Sequence, residues 1–244
     1  MGNIWIVTKR EFASFFATPV AYVFIAIFLM LSGIFTFFIG NLYERGQADL
    51  IPFFNFHPWL YLFLVPAIAM RSWAEERKSG SIELLMTLPI SVAQAVLGKF
   101  IAAWLVLGLA LALTFPLWLS VDFLGEPDHG IIVAAYIGSW LMAGAFLAIS
   151  TCMSAFTRNQ VVAFILAVVV CFLFVVSGSS IVLDAFQPWA GNLILDTVAS
   201  FSFLSHFEAT AKGVLALNDV GYFFIIMVVW LYASLIVIEQ KKAD

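Results

Sequence analysis

Residues 71–91 read RSWAEERKSGSIELLMTLPIS, a charged passage in an otherwise apolar chain. Arg71, Arg77 and Lys78 stand beside Glu75, Glu76 and Glu83, and a long uncharged run lies on either side. Gly80 suits the left-handed end of a helix, where a Cβ would be strained. Ser81 can cap a second helix, with Glu83 in a first turn where the helix dipole favours an anion. Ile82, Leu85 and Met86 share one edge at i, i+3, i+4 spacing, and Pro89 ends the element. The pattern predicts a short helix over residues 82–88. Two turns are not stable alone in water. The apolar edge therefore needs a surface: its own bundle, the membrane, or a cleft on another protein. Periodicity alone leaves these open.

Working outward, the 244 residues are 64% hydrophobic and 11% charged, where a soluble domain carries about 25% charged residues. The class is an all-α integral membrane protein. Six uncharged runs approach the roughly 20 residues a bilayer requires: 19–40, 52–70, 100–121, 131–156, 160–183 and 220–238. Pro52, Pro58 and Pro66 predict a kink in the second. With six alternating spans, Lys9, Arg10, Arg71, Arg77, Lys78, Lys99, Arg158, Lys241 and Lys242 share one side, and only Arg45 and Lys212 lie on the other. The positive-inside rule then puts both termini in the cytoplasm. An odd number of spans would destroy that agreement. Residues 184–219 form the longest external segment; their aromatic density predicts re-entrant or interfacial helices. Residues 1–18 predict an amphipathic interfacial helix, with Ile4, Trp5, Thr8, Phe12, Phe15 and Phe16 on its apolar side and Lys9, Arg10 and Glu11 elsewhere. The opening MGNIWIVTKREF lacks the cleavage site of a signal peptide.

No Lys, Arg, Asp or Glu falls well inside a run, which argues against proton- or ion-driven transport. His57, His129 and His206 lie near external loops without ligand-spaced partners, so no metal is expected. Cys152 and Cys171 read as small buried hydrophobes. The chain has no GxSxG, HExxH or phosphate-binding glycine loop. It is expected to be non-enzymatic, to bind no cofactor and to have no nucleic-acid partner. Thr36, Thr114, Ser139, Ser150 and Ser177 are candidates to line a path.

EERKSGSIELLMTLPIS resembles the signature of the type-2 ABC exporter permeases (the ABC-2 membrane family). FHPWLYLFLVPAIAMRSWAEE, QAVLGKFIAAWLV and TRNQVVAFILAVVVCFL extend the likeness, most closely to the GldF-type gliding-motility permeases and more distantly to the NosY type. Ser81 stands where Thr is commoner. The resemblance implies one permease domain over residues 1–244, with residues 71–91 as a coupling loop. Ile82, Glu83, Leu84, Leu85 and Met86 would contact a separate ATPase subunit that binds ATP and Mg. Glu75, Glu76, Arg77 and Lys78 would surround that joint, with Gly80, Ser81 and Pro89 bounding its helix. Residues 1–18 would be the connecting helix, with Lys9, Arg10 and Glu11 nearby. It further implies a second permease copy, a GldG-type membrane-anchored periplasmic subunit and a bacterial inner-membrane location. The work done is export, or mechanical action on a periplasmic partner. The rival is a stand-alone channel or scaffold.

Overall fold

The computed structural model describes residues 2–81, 89–187 and 191–241. Among these, every regular element is helical. Four stretches are long and apolar enough to cross a membrane: Val20–Ile39, Val92–Leu124, His129–Phe156 and Leu217–Gln240.

Helix α1 (Gly2–Ala17) precedes α2 (Val20–Ile34), which runs on into a π-helical turn at Phe35–Ile39. Ser32 Oγ and Thr36 Oγ1 each donate to the carbonyl four residues back, Phe28 and Ser32, at 2.6 Å. Such back-bonding competes with the regular ladder and accompanies its loosening here. The proline-rich second run divides into α3 (Ile51–Asn55) and α4 (His57–Ala69). Pro52 and Pro58 occupy first turns, where a missing N–H costs nothing. The break thus falls at Phe56, between the helices, and Pro66 is carried inside α4. A second break at Met70 opens α5 (Arg71–Ser79).

Helix α6 (Val92–Ala112) starts at Val92, well before residue 100. Ser91 and Gln94 form a reciprocal capping box there. Lys99 is consequently a helix residue and not part of a loop. Helix α7 (Phe115–Leu124) continues the line after a bend at Leu113 and Thr114. Then come α8 (His129–Phe156), capped by Asp128, and α9 (Gln160–Val176), capped by Asn159 and only 17 residues long. Three short helices follow: α10 (Ser180–Phe186), α11 (Asn192–Ser200) and α12 (Phe203–Ala211). The last is α13 (Leu217–Gln240).

Helix α8 is the axis of the bundle. It packs against α4, α5, α6, α9, α12 and α13, and most of it is buried. Its small residues, among them Ala135, Gly138, Gly144, Ala145 and Ala148, let neighbouring backbones approach closely. Trp104 on α6 and Trp140 on α8 stack with centroids 4.3 Å apart. Each indole N–H donates to the other residue's carbonyl, at 2.9 and 3.3 Å. Phe203 of α12 is fully buried against Phe146 and Phe174. Within the described part of 184–219, Asn192–Ser200 and Phe203–Ala211 are helical, and the second of these is keyed into the bundle.

Rows of apolar side chains face outward, including Tyr22, Val23, Ile27 and Met30 on α2 and Val161, Ile165, Val169 and Leu173 on α9. So large an apolar exterior belongs in lipid or against another chain. The polar residues proposed as path lining mostly turn inward. Thr36, Thr114, Ser139 and Ser150 are buried in the bundle. Thr36 and Ser150 bond their own helices, and Thr114 meets Tyr136 at 2.9 Å.

Candidate functional site

Residues 71–79 of the charged passage fold as α5, and Gly80 ends that helix. Gly80 has φ +74°, the left-handed conformation. Ser81 lies 2.9 Å from Ser79, hydroxyl to hydroxyl. Ile82, Glu83, Leu84, Leu85 and Met86, the apolar edge expected to meet a partner, lie outside the described residues. Pro89 closes the passage, with its carbonyl 3.5 Å from the Asn3 amide of α1.

Two devices fix α5. The first is Ser154, fully buried near the end of α8. Its hydroxyl accepts from the Trp73 and Ala74 N–H groups, both at 3.1 Å, and donates to the Met70 carbonyl at 2.9 Å. One side chain thereby satisfies the backbone groups that the break at Met70 sets free. Arg77 adds a 2.7 Å bond to the Ala155 carbonyl, again on α8.

The second device is Lys99. Its side chain is 6% exposed, and its ammonium lies 2.8 Å from Glu76 of α5 and 3.3 Å from Glu11 of α1. The Trp73 ring stands 5.3 Å away. One cation therefore joins three elements. Burial alone would raise the Glu11 carboxyl, but the charges of Lys99 and Arg10 outweigh it and hold Glu11 below the usual carboxylate range. The second oxygen of Glu76 is buried without a hydrogen-bond partner among the described residues. A cavity of about 350 Å³ adjoins this hub, between α1, α2, α5, α6 and α8, with Phe15, Arg71 and Glu75 in its wall.

Helix α1 lies along α6. Its inward side carries Val7, Thr8 and Glu11 together with the partly buried Ile4, Phe12, Phe15 and Phe16, so of the expected apolar side only Trp5 faces out. Trp5 is half exposed, with Lys9 over its ring. Glu11, expected off the packing side, reaches into the hub. The close approach depends on Gly98, where a Cβ would come within 2.6 Å of Val7. Replacing Gly98 with Val is expected to lift α1, overpacking by about 1–3 kcal/mol. Limited trypsin digestion should then cut at Lys9 and Arg10 several-fold faster, with insertion into membranes unchanged.

Of the predicted site residues, Glu11 and Glu76 meet at Lys99, and Arg77 reaches α8. Lys9, Arg10, Glu75 and Lys78 are exposed. Lys99 and Ser154 were not foreseen as site residues. The Ser91–Gln94 capping pattern was a usable signal for Lys99, because it starts the helix early enough to enclose that residue. Ser154 gave no comparable signal among the small residues around it.

A second polar cluster lies deeper. Ser139 Oγ is 2.7 Å from His57 Nδ1 and 2.8 Å from Tyr61 Oη, all buried. His57, the first residue of α4, is thus enclosed by aromatic rings. Among the described residues no cluster of His, Cys, Asp and Glu is suited to hold a metal.

A family model described as ABC-2 family transporter protein matches residues 33–238. Comparison with curated proteins gave no match.

Proposed function

The chain belongs to the ABC-2 transporter family, and we propose that it is the permease subunit on which a separate cytoplasmic ATPase docks at residues 82–88. It crosses the membrane six times, the four long helices being joined by α3–α4 and by the 17-residue α9. Both termini lie in the cytoplasm of a bacterial inner membrane, which the one-sided distribution of Lys and Arg supports. Two such chains pair with two ATPases. ATP and Mg are held by the ATPase, and this chain adds no catalytic group. Within the family the GldF-type permeases fit best, and a GldG-type anchored subunit is the periplasmic partner. Nucleotide-driven movement ends in export or in mechanical work on that partner.

The observation that carries this reading is the Lys99 hub. The helix leading into residues 82–88 is tied by ion pairs to α1 and α6 and by Ser154 to α8. A push delivered at the loop would therefore reach long helices directly, without passing through a flexible linker. A channel or scaffold with no partner gives that linkage nothing to transmit.

The test is co-purification with the ATPase encoded beside the chain, followed by turnover in proteoliposomes. Glu83→Lys and Leu85→Asp should abolish docking while insertion survives, since both sites lie outside the apolar runs. Unchanged affinity and unchanged turnover would reject the coupling assignment.

A further inference from the structure

At the end of the bundle away from the hub, His206 of α12 sits between two acceptors. Its Nδ1 is 2.6 Å from an Asp219 carboxylate oxygen on α13, and its Nε2 is 3.0 Å from the Ser200 carbonyl that ends α11. The ring stacks on Tyr222 at 3.9 Å, and the Tyr222 hydroxyl donates to the Phe201 carbonyl at 2.6 Å. A neutral imidazole has one N–H and one lone pair. Against an ionised carboxylate and a carbonyl, that lone pair would face an acceptor. Two arrangements satisfy every contact: an imidazolium donating at both nitrogens, or a neutral ring that donates to Ser200 and accepts from a protonated Asp219. Each holds one proton more than a neutral histidine beside a carboxylate.

We infer that His206 and Asp219 form a proton-operated clasp that fixes the α11–α12 corner to the start of α13. With the proton the corner is held. Without it, one of the two bonds becomes a repulsion and the corner is released. The sign follows from linkage: the closed form binds the extra proton, so acid favours closure and rising pH opens the clasp. The pair is 21% and 13% exposed, enough to exchange protons with solvent. Among the described residues, the other charged groups of the elements packed on α12 lie elsewhere or are paired; Glu239 stands at the far end of α13. Helices α3 and α9 carry no Asp, Glu, Lys, Arg or His. His129 of α8 is engaged by Trp118 and Asp122. On α12 itself, Glu208 and Lys212 pair with each other at 2.5 Å. Asp196 lies on α11, one turn before Ser200. On the six-span reading this corner faces outside the cell, where acidity varies, and histidine is the side chain that changes charge in that range.

The experiment uses the full chain alone in nanodiscs, so its outcome is separate from any ATPase docking. Amide hydrogen exchange over residues 196–206, normalised to intrinsic rates, is compared at about pH 5.5 and about pH 7.5. Protection is expected to be about tenfold greater at the acid value, within the limit of tenfold per pH unit for one linked proton. His206→Gln and Asp219→Asn should flatten the response, and His129→Gln should leave it intact. Equal wild-type protection at both values, or an undiminished response in His206→Gln, overturns the clasp. If the variants misfold, ring nitrogen shifts of the labelled wild-type protein decide. His206 protonation lost in step with protection supports the clasp; full protection after the extra proton has gone overturns it.

Discussion

Replacing Lys99 with Met is expected to destabilise the protein by about 3 kcal/mol, because it leaves two largely buried carboxylates with no cation between them. Glu11 and Glu76 come from different helices, and only the ammonium makes their proximity favourable. In the variant one must take up a proton or the helices must part. Helix α1 should then detach, seen as faster trypsin cleavage at Lys9 and Arg10 and a lower unfolding temperature. Adding Glu76→Gln removes one stranded charge and should recover part of the loss, giving a coupling energy across the double-mutant cycle. Lys99→Arg should recover less than its charge suggests, since a planar fork cannot reproduce the contacts of a compact ammonium. The hub also has a definite pH dependence. Glu11 is depressed in the folded protein, so its contribution is complete above the ordinary carboxylate range and is lost as pH falls through the folded value. Lys99→Met should lack that acid-range loss. A variant with wild-type unfolding temperature and wild-type cleavage rate would show that the hub carries no weight.

Ser154→Ala is the second large effect. The substitution adds no bulk and removes only the hydroxyl, stranding two N–H groups and one carbonyl at the start of α5. Each buried polar group left unpaired costs about 1–3 kcal/mol. Partial reorganisation of α5 should bring the total to about 3 kcal/mol. Residues 71–79 should then lose protection from hydrogen exchange, while α6 keeps its own. Thr151→Val, three residues away on α8, provides the contrast. Its hydroxyl bonds only the Leu147 carbonyl of the same helix, at 2.8 Å. Removing it strands nothing between helices, and the cost should stay below about 1 kcal/mol. Equal exchange over residues 71–79 in the two variants would deny Ser154 its role in positioning α5.

These two positions mark where the sequence stops being readable. Gly80 was legible because a single residue's conformational freedom decides it, and the structure has it left-handed. The amphipathic α1 was legible as a helix from its apolar spacing. Most of its inward side was legible too, Thr8, Phe12, Phe15 and Phe16 among it; the inward turn of Val7 was not, because it depends on Gly98 of another helix making room. Charge counting read Lys99 as one more loop cation. Its partners Glu11 and Glu76 are distant in sequence, and their convergence is a product of packing. The proline-rich run suggested a kink, and the break fell where two first-turn prolines bracket Phe56. Apolar runs located the helices but not their ends, since capping by Ser91, Asp128 and Asn159 sets those independently of hydropathy. Ser154 is opaque for a related reason. A serine in the stretch ISTCMSAF (149–156) reads as one more small packing residue, while its three backbone partners belong to a helix break that composition does not reveal.

The paired indoles of Trp104 and Trp140 have a spectroscopic consequence. Their rings stand 4.3 Å apart on two long helices, and each N–H is held by the opposite backbone. At that spacing the two chromophores absorb as a coupled pair and not as independent indoles. A slip of α6 against α8 would break both hydrogen bonds together and uncouple the transitions. The protein thus carries, between its axis and the helix bearing Lys99, an intrinsic optical gauge of helix separation that needs no attached label.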